Sequence, residues 1–565
     1  MKIALAQINP TVGDFAGNTR LILDFTARAA AQAADLVLFP ELAICGYPPA
    51  DLLEKKSFLD RAAEALEHIA AHTAKGPAIL VGTVTLADSP DGKHVRNVAA
   101  LLSGGEVAFL QQKMLLPFYD VFDEQRYFEP AASQSLTELD GQPLAITICE
   151  DAWNDKGFWP RRLYSVDPVD QLMRQWDEEI TQTGNDPPAR IILNISASPY
   201  WRGKRQLRRD MLAALARRHN AFVAMVNQAG GNDSLVFDGS SLVLAPSGGL
   251  IAQAPSFRED LIVFDTSELQ SQSTADDDPG DIAATWDALV LGTRDYVRKC
   301  GFAKALVGLS GGIDSALVAA IAVEALGAEN VLGIGMPSEF SSTGSISDAQ
   351  KLAENLAIRF ELIAIQDVFQ QYQRTLEPVF AGTPFGLAEE NLQSRIRGSL
   401  LMALSNKFGA LVLTTGNKSE MSTGYCTLYG DMCGALAVIG DVMKTRIYAL
   451  ARYANRAGEV IPASTIEKPP SAELRPGQRD TDSLPPYDVL DPILEAYVER
   501  YASAEQIVVE RTAAGDAVDL ALVRRVLSLV ERSEYKRQQA APVLKITQKS
   551  FGTGRRFPIA VKVEI

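Results

Sequence analysis

The chain is poor in the residues from which metal and disulfide sites are built. Its 565 residues include only four histidines and five cysteines, and no two cysteines stand as CxxC. This excludes a disulfide framework and a Cys/His zinc site. His68 and His72 are four apart on a predicted helix, where a metal site and a solvated helix face are both open interpretations.

Basic residues are fewer than acidic ones, 54 against 70, and long apolar runs are missing. The formal net charge is −16, which argues against nonspecific nucleic-acid binding, since such binding needs a basic surface. No uninterrupted apolar stretch reaches the roughly 18 residues that a membrane span needs, and the N-terminus lacks the layout of a signal peptide. A cytoplasmic protein without nucleic-acid or membrane partners is therefore expected.

Two α/β domains are predicted from the order of apolar and polar segments. Short strand-like runs alternate with helices over residues 1–268, which favours a layered domain. The polar, acidic segment 269–284 is the predicted linker. Residues 285–565 are predicted to form an open, mostly parallel sheet with ligands at the carboxyl ends of its strands. Within them, the stretch 462–492 holds seven prolines and is predicted to be an irregular lid loop.

The most informative motif is a glycine-rich turn between an apolar strand and the start of a helix. Glycines let the backbone approach an anion, and a helix N-terminus presents unpaired N–H groups. No Walker GxxxxGK[ST] pattern occurs in the chain; the turn instead carries an aspartate suited to Mg²⁺ on a nucleotide pyrophosphate. A capped strand-to-helix turn without a ligand is the ordinary alternative. The turn consists of Gly308, Leu309, Ser310, Gly311, Gly312, Ile313, Asp314 and Ser315.

The core of this turn, SGGxDS, resembles the PP-loop of the N-type ATP pyrophosphatases. The resemblance implies that these eight residues bind ATP. It also implies a reaction in which a carbonyl or carboxylate oxygen is adenylylated, pyrophosphate leaves and a nucleophile displaces AMP.

A second candidate site lies in the first half of the chain. Cys149 ends an apolar run and is followed by two acids, whereas no histidine stands where it would serve as the base of a thiol nucleophile. Glu41, at the end of LVLFPE, could take the thiol proton, and Lys113, after a strand, could stabilise a thiolate and an oxyanion. A buried structural cysteine is the alternative.

FPE, KMLLP and ICED, in this order, resemble the nitrilase (carbon–nitrogen hydrolase) superfamily. The resemblance covers residues 1–268 and implies an αββα sandwich with a Glu–Lys–Cys triad at Glu41, Lys113 and Cys149. It also implies a second, structural glutamate at Glu124. By the same resemblance, a glutamine substrate is held by three further residues: Tyr119, Ser198 and Lys204. Lysine at the last position departs from the arginine of relatives and lacks its two-pronged geometry.

Motifs of the second half complete the resemblance. In TGNKSEMSTGY, Thr415 could contact ATP and Glu420 could hold Mg²⁺ or a ligand. ENLQSRIRG contributes Asn391, for which surface polarity of a helix is the alternative, GDVMKT contributes Asp441 and Lys444, and SEYKRQQ contributes Lys536. Together with SGGIDS these motifs resemble NAD⁺ synthetases.

The whole chain thus resembles the glutamine-dependent NAD⁺ synthetases. The resemblance implies ATP-dependent amidation of deamido-NAD⁺ to NAD⁺ with nitrogen from glutamine, the final step of NAD⁺ biosynthesis. Asn391, Glu420 and Lys536 would then bind deamido-NAD⁺, and Asp314 and Glu420 would hold Mg²⁺. A homo-oligomer is expected.

Three rival interpretations are disfavoured. A tRNA-thiolating PP-loop enzyme should have a basic surface and paired cysteines. GMP and asparagine synthetases share the ATP chemistry, but their glutaminase cysteines stand beside histidine or at a mature N-terminus. A non-enzymatic scaffold would not need both sets of catalytic residues.

The proline-rich stretch leaves two possibilities open. It carries Lys468, Arg475 and Arg479, whose cations could meet phosphate oxygens when a lid closes over a reactive intermediate. The alternative is a static, proline-stiffened crossing.

Overall fold

The computed structural model of the protein describes residues 1–87, 91–183, 189–267, 278 and 280–563. It divides into two units, Met1–Pro279 and Gly280–Ile565, and the division lies within the predicted linker 269–284. Most of that linker, residues 269–277 and 279, is outside the described residues. Its last four residues are helical, because a helix begins at Asp281.

The first unit consists of strands and helices in alternation. Its strands are β1 (Lys2–Gln7), β2 (Leu36–Leu38), β3 (Ala78–Leu86), β4 (Val95–Ser103), β5 (Glu106–Gln112), β6 (Thr137–Leu139), β7 (Gln142–Ile148), β8 (Ile191–Ser196), β9 (Phe222–Asn227), β10 (Ala229–Asn232), β11 (Leu235–Asp238), β12 (Leu242–Leu244), β13 (Leu250–Gln253) and β14 (Asp260–Asp265). Its α-helices are α1 (Phe15–Ala30), α2 (Lys56–His72), α3 (Glu124–Tyr127), α4 (Pro168–Thr183) and α5 (Lys204–His219).

Two six-stranded sheets form the centre of this unit, in the orders β14-β1-β2-β3-β4-β5 and β13-β12-β9-β8-β7-β6. Side chains alternate across each strand. In β2, Leu36 and Leu38 pack against residues of the second sheet such as Ile146. Val37 faces the other way, toward α1 and α2. Helices α4 and α5 cover the second sheet around Ile192. The predicted αββα sandwich is confirmed.

The second unit is built on a parallel sheet. Its elements are α6 (Asp281–Lys299), β15 (Ala305–Gly308), α7 (Ile313–Leu326), β16 (Val331–Gly335), α8 (Thr343–Asn355), β17 (Arg359–Leu362), α9 (Gln366–Phe380), α10 (Leu387–Phe408), β18 (Leu411–Thr414), α11 (Lys418–Thr423), β19 (Leu436–Ala437), α12 (Lys444–Ala454), α13 (Ala463–Glu467), α14 (Tyr487–Arg500), α15 (Ala504–Ala513), α16 (Leu520–Arg532) and α17 (Glu534–Arg537).

Its five strands have the order β17-β16-β15-β18-β19 and every pair is parallel. The predicted open parallel sheet is confirmed. The glycine-rich turn follows β15, the central strand, where the order of strands reverses. In open α/β sheets this crevice is where ligands commonly bind, so the topology places the turn at a position suited to a ligand site.

The proline-rich stretch 462–492 is more regular than predicted. Helix α13 occupies its start, and α14 begins at Tyr487 and continues through Pro492. Pro486 is the N-cap of α14, a position next to the first turn, where the missing N–H of proline costs little. Residues 468–486 are therefore the less regular part, and within them Asp480–Asp482 form a 3₁₀ turn.

None of the helices in the described part of the chain combines the length and the apolar character that a bilayer crossing requires.

Candidate active sites

A lysine–glutamate pair lies at one end of the first sheet. Glu41 stands three residues after β2, and Lys113 directly follows β5. The two strands run in the same direction, because two antiparallel pairings separate β5 from β3, the parallel neighbour of β2. Both side chains therefore emerge at the same edge, and Lys113 Nζ lies 2.7 Å from Glu41 Oε1. A Cβ on Gly82 of β3 would lie 2.2 Å from Leu42 N, so glycine is needed for this close approach.

Lys113 also binds a second carboxylate. Its Nζ donates to Glu124 Oε1 at 2.9 Å and to Glu124 Oε2 at 2.8 Å. Glu41 in turn accepts hydrogen bonds from Asn97 Nδ2 at 2.8 Å and from Ala197 N at 3.1 Å. The lysine and both carboxylates are buried. These hydrogen bonds therefore hold the ammonium and the two carboxylates in fixed positions.

Cys149 directly follows β7 of the second sheet and stands at φ = +43°. This left-handed conformation costs a residue with a Cβ about 1–2 kcal/mol and persists only where the surroundings enforce it. Asp151 provides that enforcement. Its carboxylate accepts from Ile148 N at 3.2 Å and from Leu115 N at 2.8 Å, which ties the cysteine turn to the segment after Lys113.

Burial and neighbouring charge set the ionisation of this cluster. Burial raises the pKa of the Cys149 thiol well above its usual value and Glu41 adds to this, while Lys113 opposes it. Burial also raises the pKa of Glu124 to about 7, against the effect of Lys113. Burial would lower the pKa of Lys113, but Glu124 and Glu41 outweigh it and raise that pKa. Lys113 thus stays charged, and the thiol stays neutral until a base takes its proton.

The predicted glutamine-binding residues lie among buried polar partners. Tyr119 donates to Glu150 Oε2 at 2.9 Å, and Ser198 N donates to Asn227 Oδ1 at 2.8 Å. Lys204 Nζ donates to the Pro199 carbonyl at 2.9 Å, and burial lowers the pKa of Lys204 to about 8.

Glu150 is a site residue that the sequence interpretation passed over. It is buried, and the hydroxyls of Tyr119 and Tyr164 both donate to its carboxylate. Burial raises its pKa. Its place beside Cys149 in the chain was the available signal, since an acid next to a candidate nucleophile at a strand end is an unusual choice for packing.

The glycine-rich turn of the second unit has the shape of an anion cradle. Gly311 has φ = +77°, and a Cβ there would lie 2.2 Å from the Ser345 carbonyl. Ser310 Oγ accepts from Gly312 N at 3.2 Å, and α7 starts at the next residue. A helix of 14 residues thus directs its N-terminus at the turn.

Asp314, in the first turn of α7, is the centre of a polar cluster. Its carboxylate accepts from Asn417 Nδ2 at 3.0 Å and from Lys444 Nζ. Lys444 Nζ is also 3.9 Å from Glu420 Oε1. Burial raises the pKa of Glu420 to about 8, and Asp314 contributes to this shift. Burial lowers the pKa of Lys444, but Asp314 and Glu420 outweigh it and raise that pKa.

One cavity, of about 290 Å³, joins most of the predicted ATP residues. All of the turn except Gly311 lines it, as do Thr415 and Glu420. Asn391 and Lys536 are not among its lining residues. Both hold the segment after α11 instead: Asn391 Oδ1 accepts from Thr427 Oγ1 at 2.8 Å, and Lys536 Nζ donates to the Gly424 carbonyl at 2.7 Å.

Three cations also line the cavity. Lys444 and Lys468 were candidates from the sequence, whereas Arg397 was not. Burial lowers the pKa of Arg397 to about 10, and its Nε donates to the Met336 carbonyl at 2.9 Å. Arg397 stands in ENLQSRIRG, but nothing in that motif distinguishes it from the exposed Arg395.

Two carboxylates of this cavity could hold Mg²⁺ together with the phosphate oxygens of a nucleotide. Among the described residues no group of three or more histidine, cysteine, aspartate or glutamate side chains is placed to hold a metal. Asp314 and Glu420 both line the cavity and offer hard oxygen ligands. Mg²⁺ commonly uses one or two carboxylates plus phosphate oxygens, so the donor set suits the predicted ion.

Two family models match the chain. The carbon–nitrogen hydrolase model matches residues 2–161 and 175–275, and the NAD synthase model matches residues 285–540.

Full-length relatives carry both parts. A glutamine-dependent NAD(+) synthetase of Synechocystis sp. is 50% identical over 565 residues, which cover 99% of this chain and 98% of that protein. The corresponding protein of Thermotoga maritima is 42% identical, with coverage of 99% and 98%.

Solved structures agree with this match. The glutamine-dependent NAD⁺ synthetase of Acinetobacter baumannii, solved in complex with ADP, is 39% identical with a TM-score of 0.75, and the match covers 99% of this chain and 98% of that one. A glutamine-dependent NAD(+) synthetase of Cytophaga hutchinsonii shares the fold at 22% identity, with a TM-score of 0.82 and coverage of 99% and 97%.

Proposed function

Since this chain belongs to the glutamine-dependent NAD⁺ synthetase family, we propose that it converts deamido-NAD⁺ to NAD⁺ with ATP and with nitrogen from glutamine. One unit releases ammonia from glutamine. The other adenylylates the pyridine carboxylate of deamido-NAD⁺, and ammonia then displaces AMP. The products are NAD⁺, AMP, pyrophosphate and glutamate.

In the first unit, Glu41 acts as the base. It takes the Cys149 proton as sulfur attacks the glutamine amide carbon, and it returns that proton to the departing nitrogen. Lys113, held between Glu41 and Glu124, is the cation placed to stabilise the developing oxyanion. The C–N bond breaks, ammonia leaves and a thioester remains. Water, deprotonated by Glu41, hydrolyses the thioester to glutamate and the free thiol.

The two charged ends of glutamine require opposite charges. Lys204 offers an ammonium for the α-carboxylate, and the buried Glu150 offers a carboxylate for the α-ammonium. Tyr119 donates to Glu150 and keeps it in place, and Ser198 adds a polar group beside them. This pairing selects an amino acid over a simple amide.

In the second unit, the glycine-rich turn and the N-terminus of α7 hold the ATP phosphates. Thr415 lines the same cavity and is placed to contact the nucleotide. Asp314 and Glu420 would hold Mg²⁺, which neutralises charge on the pyrophosphate leaving group when bound. Because burial and Asp314 raise the pKa of Glu420 to about 8, this carboxyl gives up a proton when a cation arrives.

Asn391 and Lys536 are proposed to contribute to the deamido-NAD⁺ site. Both bind the segment 424–427, and neighbouring Tyr425 lines the cavity. Their contacts support a role in shaping the wall against which the dinucleotide lies.

The observation that carries this proposal is the buried Lys113–Glu41 pair beside Cys149, on the same chain as the Asp314 turn. The test is to incubate the protein with deamido-NAD⁺ and Mg-ATP and to measure NAD⁺, AMP and pyrophosphate. Cys149→Ala should abolish synthesis from glutamine but keep synthesis from ammonium. Cys45→Ala, which also removes a buried thiol of the first unit, should keep both. Loss of both activities in folded Cys149→Ala, or wild-type turnover without AMP, would reject the proposal.

We further propose a cytoplasmic location and a homo-oligomeric state. Light scattering of the purified protein tests the second point, because a monomeric mass at assay concentration would contradict it.

A further inference from the structure

Two buried, oppositely charged side chains, Lys418 and Asp441, stand close in the chain to the residues that contact Asp314. Lys418 Nζ is 2.9 Å from Asp441 Oδ1, and neither side chain has any exposed surface. Lys418 Nζ also donates to Glu499 Oε1 at 2.8 Å and to Thr547 Oγ1 at 2.7 Å. Buried ion pairs are retained in proteins only with nearly complete hydrogen bonding, and this one has it.

The ion pair joins the two segments that reach Asp314. Lys418 is the residue after Asn417, and Asp441 stands three residues before Lys444. The side chains of Asn417 and Lys444 are the ones that donate to the Asp314 carboxylate. The backbone repeats the connection, since Lys418 N donates to the Val442 carbonyl at 2.9 Å.

The C-terminal segment completes the cluster. Asp441 Oδ2 accepts from Ile546 N at 2.8 Å and from Thr547 N at 2.7 Å. Thr547 Oγ1 lies 2.8 Å from Asp441 Oδ1, so one hydroxyl touches both members of the ion pair. These residues follow position 540, where the match to the NAD synthase model ends.

We propose that the C-terminal segment is a positioning element of the nucleotide site, with Thr547 as the residue that couples it to the Lys418–Asp441 pair. Thr547 and Asp441 do not line the cavity. They act by holding the segments of Asn417 and Lys444, which orient Asp314. This inference rests on the proposed ATP chemistry of the second unit.

Thr547 matters because two buried charges need nearly all of their hydrogen-bond partners. Without the Thr547 hydroxyl, the Asp441 carboxylate loses a hydrogen-bond donor and Lys418 loses a hydrogen-bond acceptor. The pair then reorients toward its remaining partners. Since Asn417 adjoins Lys418, that movement is transmitted to Asp314. At metal sites, loss of a partner that holds a ligand in place commonly costs roughly 10–100-fold in affinity or activity. Because Thr547 is further from Asp314 than such a partner, we expect the lower end of this range.

Three variants of the full chain separate positioning from general stability. Thr547→Val keeps the side-chain volume and removes the hydroxyl, whereas Thr547→Ser restores the hydroxyl. Gln548→Ala is the matched control, because its neighbouring side chain is exposed. Asp441→Asn tests the same pair from the other side if Thr547→Val folds poorly. Each variant is compared by circular dichroism and by equilibrium binding of α,β-methylene-ATP with Mg²⁺, which requires no turnover.

Thr547→Val and Asp441→Asn should bind the analogue about 10-fold more weakly, with Thr547→Ser and Gln548→Ala close to wild type. The KM for ATP should rise in the same two variants, while the glutaminase kcat stays unchanged. Unchanged analogue binding in folded Thr547→Val, or equal losses in Thr547→Ser, would overturn the inference. If the wild-type protein binds the analogue but forms no NAD⁺, the proposed function is contradicted instead.

Discussion

Replacing Lys113 by methionine should separate the electrostatic role of this lysine from its volume. Methionine fills most of the space of the lysine stem but offers no cation to Glu41 or Glu124. Three hydrogen bonds from Nζ, at 2.7, 2.9 and 2.8 Å, are lost. Breaking a buried ion pair from one side costs about 3–5 kcal/mol, so we expect the first unit to lose that much stability near pH 8. Glutamine-dependent synthesis should vanish, and ammonium-dependent synthesis should persist while the second unit stays folded.

The stability lost in Lys113→Met should increase with pH. Burial raises the pKa of Glu124 to about 7, above its unfolded value of about 4.3. The folded state therefore binds more protons between these values, and wild-type stability falls as the pH rises from about 4.3 to 7. Without Lys113, which lowers the pKa of Glu124, stability should continue to fall above pH 7. The gap between wild type and Lys113→Met should thus be wider at pH 8.5 than at pH 6.

Denaturant unfolding at these two pH values measures the gap, and unfolding of the second unit serves as an internal reference. Adding Glu124→Gln to Lys113→Met removes one of the two stranded carboxylates and should restore part of the stability. An equal loss at both pH values, or a double variant no more stable than Lys113→Met, would refute the electrostatic reasoning.

Three further outcomes are expected. Asp314→Ala should stop pyrophosphate release with either nitrogen source, while glutaminase activity survives; undiminished ammonium-dependent turnover would contradict the metal assignment. Burial lowers the pKa of Lys204 to about 8 and the ammonium is present below that value, so the KM for glutamine should rise from pH 7 to pH 9. Lys204→Arg should flatten this profile, and a flat wild-type profile would remove Lys204 from the carboxylate site. Trypsin should cut after Arg479 rapidly in the free protein and slowly with deamido-NAD⁺ and ATP, whereas equal rates would indicate a static crossing.

Features encoded in contiguous residues could be predicted from the sequence. The strand, the glycines and the helix start around Asp314 are neighbours in the chain, so their geometry follows from local propensity and from glycine's access to positive φ. The short apolar run that contains LVL of β2 likewise indicates a buried strand. Glu41, Lys113 and Cys149 were identifiable because each stands at or shortly after the end of such a strand, in a motif of the nitrilase superfamily.

The prediction of an irregular loop over the whole proline-rich stretch was wrong at its two ends. Seven prolines suggested an irregular segment over 462–492, but tertiary packing keeps α13 and α14 helical at its two ends. Leu490 and Ile493 of α14 are buried in the core of the second unit. That burial outweighs the missing hydrogen bond of Pro492.

The sequence by itself determined a layered α/β domain, a second domain with a parallel sheet, and the residues at the strand ends; the sandwich of two sheets followed from the resemblance to the nitrilase superfamily. Only the tertiary structure decided which distant side chains complete each site. Lys444 reaches Asp314 across 130 positions, and Thr547 reaches Asp441 across 106. Glu150 gains Tyr119 and Tyr164 from separate loops. Such partners share no local pattern, because their contact depends on burial and charge pairing that exist only once the sheets and helices have packed.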